Sequence, residues 1–331
     1  MSVHRPSYFL LAAAAAAFAQ PAPLRLVQRI ALPGVEGRMD HMSVDAKGQR
    51  LFASGLANGT IEVIDLAAGK RIRSLAGLKE PEGILYAADS NTIFAADGEG
   101  GAVRSFSGAS YEPLQSIGSL PHSDNLRYDA AAGRLYVGFG DGADAGLGII
   151  DAASGSLIGV INLEGHPEAF AFEKTAGRRI FVNVPTANMI AVIDSGKRRV
   201  AAKWPVTEVK SFYPMALDEA NHRLFVGARR PARLVVFDTA SGKMITSVEG
   251  AVDTDDLFYD AAHKRIYMSG GDGMVRVFAQ RDPDHYEQIA RIPTAPGARI
   301  SLLVPDLNRF YVAAPRVGRR DAEILVFAVE P

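Results

Sequence analysis

The chain of 331 residues contains no cysteine and only one tryptophan. The first absence excludes disulfides, a thiol nucleophile and a lipidated cysteine, so stability has to come from packing alone. Neither sign of charge is in excess, because 36 Lys and Arg face 37 Asp and Glu for a formal charge of −1. A protein built mainly for nucleic acid carries a basic surplus or stripe, so this balance argues against such a partner. Beyond residue 19 there is no apolar run of the ~20 residues needed to cross a bilayer. Long runs of helical period are missing too, as are G-x-S-x-G, H-E-x-x-H and paired-Cys motifs. The missing motifs exclude only sites built from neighbouring residues. A site assembled from distant strands leaves no local signature.

What the chain does contain is a repeat. The stretch from Asp129 to Gly155 reads as a strand end, a short polar turn, a strand opening on Arg134-Leu135-Tyr136-Val137, a Gly/Asp-rich loop and a further strand at Ile149-Ile150-Asp151. Taking Leu135 as marker, the same pattern returns at Leu51, Ile93, Ile180, Leu224, Ile266 and Phe310, with spacings of 42, 42, 45, 44, 42 and 44. Near-constant periods of roughly 40 to 45 residues made of short strands are the signature of propeller blades, each a four-stranded sheet that cannot bury both faces alone. Seven markers predict an all-β, seven-bladed β-propeller. The period is unbroken by any linker-like segment, which makes residues 20–331 a single domain.

The two ends complete the picture. Residues 1–19 combine Arg5, an apolar core and Ala17-Phe18-Ala19 as an A-x-A site, the features of a secretory signal peptide. Removal of Arg5 with that segment leaves 35 basic and 37 acidic side chains, a charge of −2. The strand from Leu24 to Leu32 precedes the first full blade, while Ile324 to Val329 ends the chain as a third strand with no fourth behind it. The N-terminal strand is therefore expected to complete blade seven and close the ring. A monomer in the periplasm or secreted is the expectation.

Phe181-Val182-Asn183 and Leu135-Tyr136-Val137, followed by Val192-Ile193-Asp194 and Ile149-Ile150-Asp151, resemble the YVTN-repeat, YncE-like family of seven-bladed propellers over essentially the whole mature chain. The resemblance implies a periplasmic or secreted binding-type propeller. It implies no particular reaction. Blade two departs from the pattern by lacking the closing aspartate, and blade seven by an extended Arg-rich loop.

The recurrent Asp65, Asp151, Asp194 and Asp238 end third strands and are read as acceptors of turn N–H groups. Function is expected at the other face, where each outer strand returns to the next blade's inner strand. Counting back from the markers places Asp40, Glu82, Asp124, Glu168, Tyr213, Asp255 and Arg299 at one position, with His122 and His166 two residues earlier and His41, Asn125 and Asp256 one later. These residues are predicted to ring one mouth of the axial channel. Converging carboxylates repel one another and recruit a cation. Asp40, His41, His122, Asp124, His166 and Glu168 are thus candidate ligands of a divalent metal, a mixed N/O set that suits Zn, Mn, Fe or Ni. Arg229, Arg230 and Arg316 stand on loops of the same face and suit an anionic group. Two functions remain open: binding of a small molecule, peptide or protein at the channel mouth, or a metal-dependent hydrolase, lactonase or lyase that uses the same ring.

If residues 1–19 are an export signal, protein recovered from the producing cells has the intact mass of a chain beginning at Gln20. A mass that retains them would reject both the signal and the extracytoplasmic location.

Overall fold

The computed structural model describes residues 22–175 and 177–331. The segment read as a signal peptide lies outside them. The described chain forms 28 strands in seven four-stranded antiparallel sheets, interrupted only by four three-residue turns of 3-10 helix. The chain is a seven-bladed β-propeller.

All seven markers fall at the second position of a blade's second strand, as in Arg50–Gly55 and Arg134–Phe139. Side chains alternate along a strand, so the marker and its aromatic follower point to opposite faces. Leu51 accordingly packs into the cluster shared with blade seven, and Phe52 into the cluster shared with blade two. Ile93 and Phe94 divide in the same way between blades one and three. The described core is seven such clusters, one at each blade interface. Because both faces are buried, a one-residue slip of register would exchange a blade's two partners.

Third-strand ends behave as turn stops. The side chains of Asp65, Asp151, Asp194 and Asp238 accept the N–H three residues on, at 2.8, 2.8, 2.9 and 2.7 Å. In blade two, Ser107 takes over, its hydroxyl accepting from Ala109 and Ser110. On the same side of the ring, Arg50 clips Asp45 and Arg179 clips Glu173.

Closure is made by the N-terminal strand. Leu24–Leu32 lies outermost in the last sheet, antiparallel to Ala322–Val329, which is followed inward by Arg309–Ala314 and Ile300–Val304. Leu24, Ile30 and Leu32 are buried there. The ring is locked by chain ends some 300 residues apart, Leu24 opposite Val329 and Leu32 opposite Ala322.

Deletion of residues 20–34 removes this strand and bares the edge of Ala322–Val329. The three buried side chains lost contribute roughly 1.5–3 kcal/mol each, together comparable to a domain's whole net stability. Such a chain is expected to aggregate or to lose its cooperative melt, followed by calorimetry. A truncated protein that melts like the full one would overturn this account of closure.

Candidate functional site at the channel mouth

The inner strands do not run straight into the mouth. In blades one, two, five and six the register with the second strand shifts just there, between Asp40 and Met42, Pro81 and Ile84, Phe212 and Met215, and Thr254 and Leu257. Residues inside such a bulge have no cross-strand partner and are re-aimed. They are His41, Glu82 with Gly83, Tyr213 with Pro214, and Asp255 with Asp256. In blades three and four the regular strand begins late, at Leu126 and Phe170. The preceding residues are instead tied by backbone bonds from Asp124 N to Gly138 O and from Glu168 N to Asn183 O, both 2.9 Å.

These devices build an axial cavity of about 800 Å³. Asp40, His41, Glu82, Asp124, Asn125, His166, Glu168, Tyr213, Arg229, Asp255, Asp256 and Arg299 all line it. His122, Arg230 and Arg316, placed with them on sequence grounds, do not. His122 adopts a left-handed backbone (φ 50°), its side chain is 62% exposed, and its ring faces Asp141 on the rim at 3.7 Å. Arg229 and Arg230, expected on a loop, end the strand Arg223–Arg230, whose hairpin with Ala232–Asp238 extends to the rim; Arg230 is exposed there, and Arg316 pairs outward with Glu36.

Within the cavity the charges are sorted. On one side Arg229 and Arg299 enclose Asp255 at 2.8 and 2.9 Å and Asp253 at 3.2 and 3.1 Å, with the Arg229 guanidinium 4.1 Å from the centre of the Tyr213 ring. Arg38 pairs with Asp40 and stands 3.7 Å from Glu82. His41 is surrounded: Nδ1 lies 3.4 Å from Asp256, and Nε2 lies 3.6 Å from Asp40 and 4.0 Å from Asp124. The Asp256 carboxylate also accepts from Ser301 N at 2.8 Å. On the opposite side, His166 donates Nδ1–H to the Gly140 carbonyl at 2.9 Å and directs Nε2 toward Asp124 at 3.8 Å. Glu82 and Glu168 accept no hydrogen bond among the described residues.

Protonation follows from this sorting. Burial, then the charges of Asp124 and Asp40, push the Glu82 carboxyl up to about 9. Burial and Asp124 push Glu168 to about 8, and burial with Asp40 lifts Asp255 to about 6 against the pull of its two arginines. Burial would lower both histidines, but neighbouring carboxylates outweigh it. Asp124 and Glu168 hold His166 at about 9, and Asp256 with Asp40 holds His41 well above its usual value. Asp124 moves the other way: burial would raise it, but His166 and His41 outweigh that and lower it.

One functional candidate escaped sequence reading. Arg127 lines the cavity two residues below Asn125, at the level occupied elsewhere by Ser43, Leu85, Ala171, Ala216, Phe258 and Leu302. It stacks 5.5 Å from the centre of the Phe170 ring, donates only to the neighbouring Leu126 carbonyl at 2.8 Å, and makes no ion pair among the described residues. Burial lowers its pKa below the arginine norm. Extending the count from the markers by three residues down the inner strand would have exposed it as the one charge in that belt.

No protein-family description and no curated protein matches the sequence. The fold has many relatives among solved structures, 1724 chains in all, so likeness alone carries no function. One, titled Kuenenia stuttgartiensis Hydrazine Synthase, superposes with a TM-score of 0.77 at 15% identity, covering 90% of this chain and 99% of its own. Another, from a structure titled Crystal Structure of Mitotic Checkpoint Complex, has the same TM-score and identity and covers 99% of both chains. At this identity the likeness shows the propeller fold and nothing finer.

A carboxyl whose folded pKa exceeds its unfolded value binds an extra proton in the native state. Stability therefore falls as pH rises from about 4.5 toward about 9. Glu82→Gln should accordingly melt above the wild type at pH 8 in EDTA, by on the order of 1–3 kcal/mol, and match it near pH 4.5. Equal melting curves at both pH values would contradict the burial and repulsion assigned to Glu82.

Proposed function

We propose that this is an exported propeller, akin to the YVTN-repeat family, that binds a small polar molecule in the axial cavity. The observation that carries the reading is a set of cavity groups whose hydrogen-bonding atoms are left largely unmatched by the protein. The Glu82 and Glu168 carboxyls face the space without a hydrogen bond, Arg38 standing 3.7 Å from Glu82, the Asp124 Oδ1 and Asn125 Oδ1 atoms are buried without a donor, and Arg127 has only a neighbouring carbonyl. Unmatched buried polar groups cost about 1–3 kcal/mol each, and a ligand with a positive or donor group at the carboxylates and an acceptor at Arg127 would relieve them. The volume, about 800 Å³, lies in the range of small-molecule sites. A peptide or protein partner would meet the rim instead, where Arg230, His122 and Arg316 are exposed.

Binding is favoured over hydrolase, lactonase or lyase chemistry by the geometry of the histidines. Both ring nitrogens of His41 face protein carboxylates. His166 spends Nδ1 on Gly140, and His122 is turned to the rim. None of the three is poised to take a proton from a substrate in the cavity.

A thermal-shift screen of EDTA-treated protein against small polar metabolites tests the reading. Compounds with paired donor and acceptor groups should raise the melting temperature, and Arg127→Ala should weaken them about 10- to 100-fold, the loss of one charge-assisted bond. A screen without hits, or hits indifferent to both Arg127→Ala and Glu82→Gln, would place any ligand elsewhere.

A further inference from the structure

Resting on the reading of the axial cavity as a binding site, the geometry points to a divalent first-row transition ion of the Zn²⁺ or Mn²⁺ kind, held by Asp124, His166 and Glu168 with the side-chain oxygen of Asn125. One ligand atom from each of the first three lies within 4.8 Å of the others. Some point is then within about 2.8 Å of all three, and a contraction of roughly 0.6 Å per ligand reaches the 2.0–2.2 Å of nitrogen and oxygen bonds to such ions.

Clustered acids alone would not justify an ion, since most are simply hydrated. Three further features separate this group from the rest of the ring. Asn125 is 3% exposed and lines the cavity, and its Oδ1 has no partner. Its Nδ2 donates to Asp124 Oδ2 at 3.3 Å, which orients the amide beside the proposed ligands. Asp124 Oδ1 is orphaned as well. His166 is arranged as metal-binding histidines are, Nδ1–H donating to a backbone carbonyl, which leaves Nε2 as the ligand atom once an ion has displaced its proton. Nε2 faces Asp124 at 3.8 Å, and a cation taking the place of the Nε2 proton between them would bond to both.

The neighbouring carboxylates are already neutralised. Asp255 has Arg229 and Arg299, Asp40 has Arg38, and Asp256 has His41 and Ser301 N. Blades three and four offer no such arginine at the mouth, so among the described residues His166 and, more distantly, His41 are the cations facing Asp124. A histidine nitrogen in the set selects against Ca²⁺ and Mg²⁺, which prefer oxygen ligands alone. Remaining coordination positions open to the cavity, where an acceptor group of the small molecule would complete the shell.

The test uses tag-free protein and the metal alone. After EDTA treatment and dialysis, Zn²⁺ or Mn²⁺ should bind as a single ion per chain by elemental analysis. At metal a hundredfold above Kd the melting temperature should rise by on the order of 4 °C. Co²⁺ in the same site should give visible absorption bands that Zn²⁺ displaces. Asp124→Asn with Glu168→Gln, checked for folding by its melt in EDTA, should lose the response, while Asp194→Asn on the opposite face keeps it. If the double variant does not fold, the Co²⁺ spectrum and stoichiometry of the wild type decide. Absence of bound ion and of any shift, a larger response to Ca²⁺ than to Zn²⁺ or Mn²⁺, or a response that survives the double substitution would each overturn the site. Should the ion fail while small metabolites still raise the melting temperature of EDTA-treated protein, the cavity reading stands and only the metal falls.

Discussion

Every blade of this protein is apolar on both faces, and that fact governs everything above it. The second strand carries the constraint most plainly, with a large aliphatic or aromatic side chain facing the preceding blade and an aromatic ring facing the next. A single blade would expose two such faces to water, and an open row would still expose one at each end. Only a closed ring covers all of them, which is why the strand Leu24–Leu32 matters out of proportion to its length. The axial cavity exists because the ring does.

Closure also creates the electrostatic problem at the mouth. Seven inner strands brought to one axis carry their leading side chains with them, and most of those are acidic. The structure answers unevenly: arginines of blades one, five and seven lean over Asp40, Asp253 and Asp255, and two histidines bridge toward Asp124. Glu82 and Glu168 are left half-buried without a hydrogen-bonded partner, and their carboxyls are pushed up. Three residues below them, the level of Ser43, Leu85, Ala171, Ala216, Phe258 and Leu302 carries no charge except Arg127. The cavity is thus polarised along its depth, acids at the rim and a lone cation in the belt, so a molecule bound there would have a fixed orientation.

Blade number, strand order and closure were legible in the sequence because they follow from a period and from a side-chain alternation that survive without knowledge of neighbours. Most of the mouth was legible for the same reason: Asp40, Glu82, Asp124, Glu168, Tyr213 and Asp255 share one place in the repeat. The count failed at His122, where a left-handed turn residue swings its side chain outward, at Arg230, where the second strand of blade five runs on to the rim, and at Arg316, which pairs outward on its loop. Which acids would be paired was not legible either. Asp255 takes its partners from 26 residues before it in Arg229 and from the following blade in Arg299, contacts that arise only when adjacent blades are brought together. The bulges that unpair Glu82 and His41 from their sheets leave no mark in composition.

The manner of closure has a kinetic side. Leu24–Leu32 leaves the ribosome before any other described strand, yet the edge it pairs with, Ala322–Val329, is made last. Throughout synthesis it must wait as a solitary strand with hydrophobic positions on show, and no local contact can bring it home. Pairings between such distant segments are slow to form and leave sticky intermediates in the meantime. Ring assembly is therefore a race between self-capture and capture by a neighbouring chain, and the concentration of half-made molecules decides its yield.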